Sequence, residues 1–344
     1  MRLIITPHSS KSVRAGVEIF SDQLHRALPE SEIRTLDDAK PPGAMESCRF
    51  NFFRDVWAAD RLCSSALESN GAQWSCVLAN GLWGHPFEEK KTKIPLISIQ
   101  HGTFAGYAQA ALPFLSPEFL RTSMVFAHFE KKAALQARRV VSNSAFTQML
   151  VKKHYGVDSR VIENAVDWQS LPLINSVEAR KKLHLPLEKK IVLFVGRQHE
   201  GKGFDRLEAL ARHGPDWDFM AVVPDPRPTR LENLKLVGPV DRDTLAAYYG
   251  ACDCVYWPTR FEGFGFVPLE ALACNRPVVG SKTGIFWNES LEGFFPVEHH
   301  DPKTLRGLME DAFSRKWDTR EKVARRFSME KFAREYQAVV NEYG

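Results

Sequence analysis

Short continuous apolar runs recur along the chain, separated by segments with helical spacing. A run of this kind, flanked by turn residues, reads as a strand buried on both faces. In the first half, Leu3-Ile4-Ile5 is such a strand. A helix follows over 18–27, where Val17, Phe20, Leu24 and Leu28 recur on one face. Further strands are expected at 33–36, 75–79, 95–100, 139–142 and 160–163. A second series starts after Lys190, at 191–195, 218–223, 234–237, 254–257, 277–280 and 294–297. Strands alternating with helices predict an α/β chain with two doubly wound, Rossmann-like parallel sheets. Residues 167–186 lack a strand pattern and carry Pro172 and Pro186. A linker is therefore expected at 169–186, between domains at 1–168 and 187–327.

Composition agrees with this division. The 344 residues fit two domains, and 44% hydrophobic content is ample for two cores, which excludes disorder as the main state. With 46 Lys+Arg against 42 Asp+Glu, the net +4 is too mild for a dedicated nucleic-acid binder. The excess sits in residues 1–170, with 20 Lys+Arg against 17 Asp+Glu, and includes Lys131-Lys132, Arg138-Arg139 and Lys152-Lys153. These pairs read either as solvated helix faces or as a patch for anionic lipid or a phosphate-bearing acceptor. The apolar run at the N-terminus is too short for a signal peptide, and no stretch approaches the ~18 residues of a membrane span. A cytoplasmic protein is expected, with peripheral contact at the inner face of the plasma membrane left open. The six cysteines (Cys48, Cys63, Cys76, Cys252, Cys254, Cys274) lack paired metal-ligand spacing and are expected as reduced thiols.

Two segments carry candidate chemistry. In 254–273 a strand runs into a loop with Gly263 and Gly265, and the loop opens a helix with Pro268 in its first turn. Glycines permit close backbone approach, and the helix end offers free N–H groups to an anion. Glu262 and Glu270 would repel a phosphate, but they suit neutral hydroxyls, such as two sugars flanking a diphosphate. For Glu270, compensation of the helix dipole from the first turn is the competing reading. The segment 194–205 again follows a strand and precedes a helix. There Arg197 and Lys202 either converge on a departing diphosphate or are simply exposed loop cations. Gly196-x4-Gly201-Lys202 nearly matches a P-loop, but residue 203 is Gly where a Mg²⁺ ligand needs a hydroxyl, which argues against an NTPase.

Together, Arg197-x4-Lys202, the segment from Val237-Gly238-Pro239-Val240 to Tyr248-Tyr249, and Glu262-x7-Glu270 within GFGFVPLEALA resemble retaining glycosyltransferases of the GT-B fold, specifically family 4. The likeness runs from about residue 191 to 280. In the first half, 140–144 and the run from Ile162 to Asp167 are similar to the family's approach to its linker. Ala15-Gly16-Val17-Glu18 resembles its first loop, where two glycines are usual, and Gln100-His101-Gly102-Thr103 its His-Gly-Thr.

The resemblance implies two Rossmann-like domains facing a cleft, the first meeting the acceptor and the second binding the donor, with a helix at 328–344 packing back on the first. It implies that Arg197 and Lys202 hold the donor diphosphate and that Glu262 contacts the transferred sugar. Backbone at Phe264, Gly265, Phe266 and Val267 would touch phosphate and sugar, and Glu270 the ribose. Gly16 would approach the diphosphate, His101 the reacting carbon, and the segments around Val223 and Val240 the base. A His beside Gly-Thr that merely bonds the backbone is the alternative for His101. The implied function is metal-independent transfer of a hexosyl-type sugar from a nucleotide-diphosphate sugar to a glycan or lipid-linked hydroxyl in polysaccharide biosynthesis. No cofactor, metal or nucleic-acid partner is expected. The alternatives are a nucleotide-sugar epimerase of similar fold and a non-catalytic nucleotide-sugar-binding module. The aromatic stretch 104–129 is expected chiefly as core, with a few rings open to an acceptor or lipid groove.

Overall fold

The computed structural model describes residues 1–7, 16–40, 51–70, 74–87 and 93–343. The chain divides into two compact units, residues 1–165 with 329–344, and residues 166–328.

The first unit is built on six parallel strands: β1 (Arg2–Ile5), β2 (Ser31–Arg34), β3 (Cys76–Asn80), β4 (Leu96–Gln100), β5 (Arg139–Ser142) and β6 (Arg160–Val161), in the order β2-β1-β3-β4-β5-β6. Its helices are α1 (Gly16–Ala27), α2 (Leu36–Ala39), α3 (Asn51–Asn70), α4 (Phe104–Ala111), α5 (Pro117–Leu120), α6 (Ala127–Gln136) and α7 (Ala145–Tyr155). Ile4, Cys76 and Leu78 face one core, while Leu3, Ile5, Val77 and Ala79 face another. This alternation on a sheet covered on both sides is why the runs read as continuously apolar. β2 lies two residues before the expected 33–36; it ends at Arg34 because Leu36 opens α2, where the Asp38 carboxylate accepts from the Thr35 N–H at 2.7 Å.

The second unit repeats the plan with β7 (Ile191–Val195), β8 (Asp218–Val222), β9 (Leu234–Val237), β10 (Cys254–Trp257), β11 (Val278–Ser281) and β12 (Phe294–Val297), ordered β12-β11-β10-β7-β8-β9, all parallel. Its helices are α8 (Ser176–Lys182), α9 (Phe204–His213), α10 (Arg242–Ala251), α11 (Phe266–Ala273), α12 (Pro302–Phe313) and α13 (Arg320–Arg326). Residues 169–186, expected as a linker, group instead with this unit. Leu171 and Ala179 are fully buried there, and Arg180 donates to the carbonyls of Ala251 (3.0 Å) and Leu187 (2.6 Å) and pairs with Asp253 at 2.8 Å. Burying one arginine against a carboxylate and otherwise unmet carbonyls ties the segment down.

The last helix, α14 (Met329–Asn341), belongs to the first unit and packs Phe332, Tyr336, Val339 and Val340 against Ile4, Phe20 and Leu24. Cys63, Cys76, Cys252, Cys254 and Cys274 are free buried thiols; Cys48 lies outside the described residues. Among the described residues, no helix is long and apolar enough to cross a membrane.

Candidate active site

In the second unit, strand order changes side at β7, with β8 and β9 on one flank and β10 on the other. Loops leaving the carboxyl ends of two such strands diverge, and open α/β sheets bind ligands there. The two loops are those carrying the sequence motifs, 196–203 after β7 and 258–265 after β10. They are tied together closely. Gly203 has φ 74°, and a Cβ there would lie 2.1 Å from the Pro258 carbonyl oxygen. Only glycine fits, which explains why the near-P-loop lacks its hydroxyl residue. The Arg260 N–H donates to the Gly201 carbonyl (3.0 Å), which also accepts from Thr259 Oγ1 (3.2 Å). The Arg260 guanidinium grips Asp205 with two bonds of 2.7 Å and reaches the Glu200 carbonyl. That arginine holds the Asp205 carboxyl below its usual range.

This docking brings Lys202 Nζ within 2.5 Å of Glu262 Oε2, both side chains being part-exposed. Thr283 fixes the Glu262 backbone, donating from Oγ1 to its carbonyl (3.0 Å) and accepting from its N–H (3.3 Å). Arg197 is exposed, and its side chain has no hydrogen bond or ion pair among the described residues. α11 starts at Phe266 behind Gly265, whose φ is 111°, and no side chain caps it. Its first N–H groups remain available, beside part-buried Phe266 and Val267 and buried Phe264.

Glu270 departs from expectation. It lies in the second turn of α11, so it does not compensate the dipole of the first turn. It is buried, accepting from Arg242 Nη1 at 2.7 Å and from Tyr249 Oη at 3.0 Å. Arg242 also donates from Nε to Ser170 Oγ (3.1 Å). The carboxylate is therefore ordered and charge-balanced, with lone pairs left for further donors. Val240 is part-buried against the core, while Val223 is wholly buried, so the Val223 side chain cannot line a base pocket.

In the first unit, His101 follows β4 and Asn80 ends β3, the adjacent strand. His101 Nε2 lies 2.7 Å from Asn80 Oδ1, and Asn80 Nδ2 donates to the Ile5 carbonyl at 3.4 Å. With the amide so oriented, Nε2 carries the proton and Nδ1 is bare. The ring packs edge-on against Phe20, with centroids 4.5 Å apart. Desolvation lowers its pKa to about 4, so the imidazole is neutral. Thr103 caps α4, accepting from the Gly106 N–H at 3.0 Å. Gly16 is exposed at the start of α1, while Ala15 and His8 lie outside the described residues.

Sequence reasoning missed Asn80, Arg242, Thr283 and the Arg260–Asp205 clamp. It also missed His300, held between Tyr256 Oη (2.8 Å) and Ser281 Oγ (2.9 Å). Arg242, Asp205 and Arg260 stood inside the recognised segments 237–249, 194–205 and 254–273, but each has its partner tens of residues away, so no role could be read from the segment alone. Among the described residues, no group of three His, Cys, Asp or Glu side chains is placed to hold a metal ion.

Two Rossmann-like units, the second with paired loops at its switch point, define a GT-B protein. Residues 189–312 match the family described as Glycosyl transferases group 1, and residues 15–169 match Glycosyltransferase Family 4. The chain belongs to glycosyltransferase family 4, a family of retaining hexosyltransferases. It is similar to a D-inositol 3-phosphate glycosyltransferase of Geodermatophilus obscurus, 31% identical over 217 residues, which is 56% of this chain and 47% of that protein. The chain spans about half the length of the curated relatives it matches first. Its fold is similar to that of sucrose-phosphate synthase from Thermosynechococcus elongatus, with a TM-score of 0.81, 20% identity and coverage of 99% and 98% of the two chains. It is also similar to Anabaena Alr3699/HepE in complex with UDP and glucose, with a TM-score of 0.69, 18% identity and 99% of each chain covered.

Proposed function

We propose that this chain moves a hexosyl-type sugar from a nucleoside-diphosphate sugar to a hydroxyl of a glycan or lipid-linked acceptor, with retained anomeric configuration and no metal. One observation carries the reading: the docked loops hold Lys202 against Glu262 at 2.5 Å, beside the uncapped start of α11. A cation, a carboxylate and free N–H groups gathered at a switch point suit a ligand that is anionic at one end and rich in hydroxyls at the other. The UDP and glucose bound by the Anabaena protein of similar fold support the same ligand class.

Arg197 and Lys202 stabilise the departing diphosphate, with the backbone at Phe264, Gly265, Phe266 and Val267, where the loop runs into α11, on phosphate and sugar. Glu262 accepts from hydroxyls of the transferred sugar. Glu270 accepts from the ribose, steadied by Arg242 and Tyr249, and Val240 flanks the base. In the first unit, Gly16 offers a backbone N–H and His101 a neutral imidazole, the groups that the family resemblance assigns to the diphosphate and the reacting carbon. The bond from the anomeric carbon to the leaving phosphate breaks as the acceptor oxygen bonds on the same face, and the acceptor proton passes to that phosphate. The deciding experiment is a screen of nucleotide sugars for diphosphate release, with candidate acceptors, with and without chelator. Release that survives chelation, with an α-linked product from an α-linked donor, is expected. No release with any donor and acceptor overturns the reading, and a trapped glycosyl ester on Glu262 overturns the same-face route.

A further inference from the structure

The first unit leaves an apolar surface that the candidate site does not use. Among the described residues, Phe114, Leu115, Leu120, Met124 and Leu135 are exposed large hydrophobics falling in one stretch, with Phe114 at 78% and Met124 at 66%. The tip is a built feature. Pro113 and Pro117 bracket it, Leu115 takes φ 60°, and Ser116 Oγ accepts from the Phe119 N–H at 3.1 Å to start α5. A left-handed leucine is strained, and a turn held that way while presenting two large apolar side chains to solvent implies a use for them.

The helix continues from α5 through a π-helical segment (Arg121–Phe126) into α6. Along it Leu120, Met124, His128, Lys131 and Leu135 follow at spacings of three or four residues, all exposed. Leu120 and Met124 lie next to the tip with Arg121 beside them, Lys131 lies further along, and Leu135 closes the stripe. Charge is one-sided as well. Between 112 and 138 the cations are Arg121, Lys131, Lys132 and Arg138, and the one exposed carboxylate is Glu118. Glu130 is buried, accepting from the Phe104 N–H and the Tyr155 hydroxyl. Arg139, grouped with these cations on sequence grounds, is paired with Glu342 at 2.6 Å.

We propose that this surface inserts into the headgroup layer of an anionic lipid bilayer. Phe114, Leu115, Leu120 and Met124 enter the acyl boundary, and Arg121, Lys131 and Lys132 meet lipid phosphates. Apolar side chains beside a cationic stripe, without a span, match the requirements of interfacial binding. A second copy of the chain is the poorer occupant, because a two-fold contact would set these cations against themselves.

The proposal does not depend on sugar transfer, and its test uses no donor. The full chain is co-sedimented with mixed phosphatidylglycerol–phosphatidylcholine vesicles and with pure phosphatidylcholine vesicles. Binding to the mixed vesicles is expected. Phe114→Ser/Leu115→Ser/Met124→Ser should weaken it about tenfold or more. Lys131→Gln/Lys132→Gln should weaken it up to about 25-fold, at roughly fivefold per cation near the surface. Phe114, Leu115, Met124 and Lys131 are exposed and Lys132 is half-exposed, so unfolding temperatures measured alongside should stay near the wild-type value. Absence of wild-type binding, or equal binding by the apolar triple variant, overturns the proposal. So does a dimer in sedimentation velocity that the triple variant abolishes. Diphosphate release is assayed separately, so a failed transfer reading and a failed membrane reading are distinguishable.

Discussion

The two units share one plan and furnish their strand ends in opposite ways. Around β7 and β10 three ion pairs gather, Lys202 with Glu262, Arg260 with Asp205 and Arg242 with Glu270, beside the exposed Arg197 and the neutral Tyr256–His300–Ser281 bonds. Around β3 and β4 the polar groups are neutral, a His101–Asn80–Ile5 chain of hydrogen bonds beside the aromatic Phe20. Ion pairs left partly open to water cost little to rearrange, so they can yield to a charged ligand. A buried neutral network holds one proton in one place instead. A nucleoside diphosphate needs the first kind of surface; orienting a reacting centre needs the second.

This contrast can be broken at several points. Lys202→Ala should have the largest effect, lowering kcat about 10²–10³-fold while unfolding temperature barely moves. Steady-state kinetics with the identified donor would check it. Gly203→Ser attacks the docking itself: a Cβ 2.1 Å from the Pro258 oxygen at a positive φ should cost at least about 2 kcal/mol, read in urea unfolding. Arg242→Ala should raise donor KM about tenfold with kcat little changed, because it loosens Glu270 rather than touching the reaction; Arg242→Lys should recover part of the loss.

In the neutral network, Asn80→Asp should lift the His101 titration from about 4 toward the ordinary imidazole value, visible as a new limb in the pH–rate profile. The smallest expected effect is on stability. Burial raises Glu130 to about 7, so the folded chain binds that proton more tightly than the unfolded chain does. Its contribution is fully present below the ordinary value of 4.5 and is lost as pH rises through about 7. His101 has the opposite sign: its contribution holds above 6.5 and is lost as pH falls toward about 4. Glu130→Gln should therefore flatten the loss on the alkaline side of that window and leave the acid-side loss in place. Urea midpoints measured across pH would show it.

Much of the fold was readable from the chain. The central strands announced themselves as apolar runs, because a sheet covered on both faces needs no polar alternation, whereas the edge strands β6 and β9 carry exposed Arg160 and Lys235. β2 was placed late because Ile33 and Leu36 look alike in sequence, and only the α2 turn separates them. The segment 169–186 was read as a linker because it lacks a strand pattern and carries Pro172 and Pro186. Its burial depends on Arg180 meeting Asp253, 73 residues away. The motifs around Lys202 and Glu262 were legible for a local reason: glycines and a strand-to-helix turn mark a ligand loop without any tertiary knowledge.

What the sequence determined by itself is what short-range physics dictates: strand runs, helix spacing, glycine loops, and the family those motifs define. Tertiary structure alone decided which loops meet and what each charge faces. It closed Gly203 onto Pro258, set Lys202 against Glu262, gave Glu270 to Arg242 and Tyr249, and left Phe114 and Leu115 in water. Such pairings join residues tens of positions apart. Their energies come from desolvation and close contact, which are properties of neighbours in space rather than neighbours in the chain.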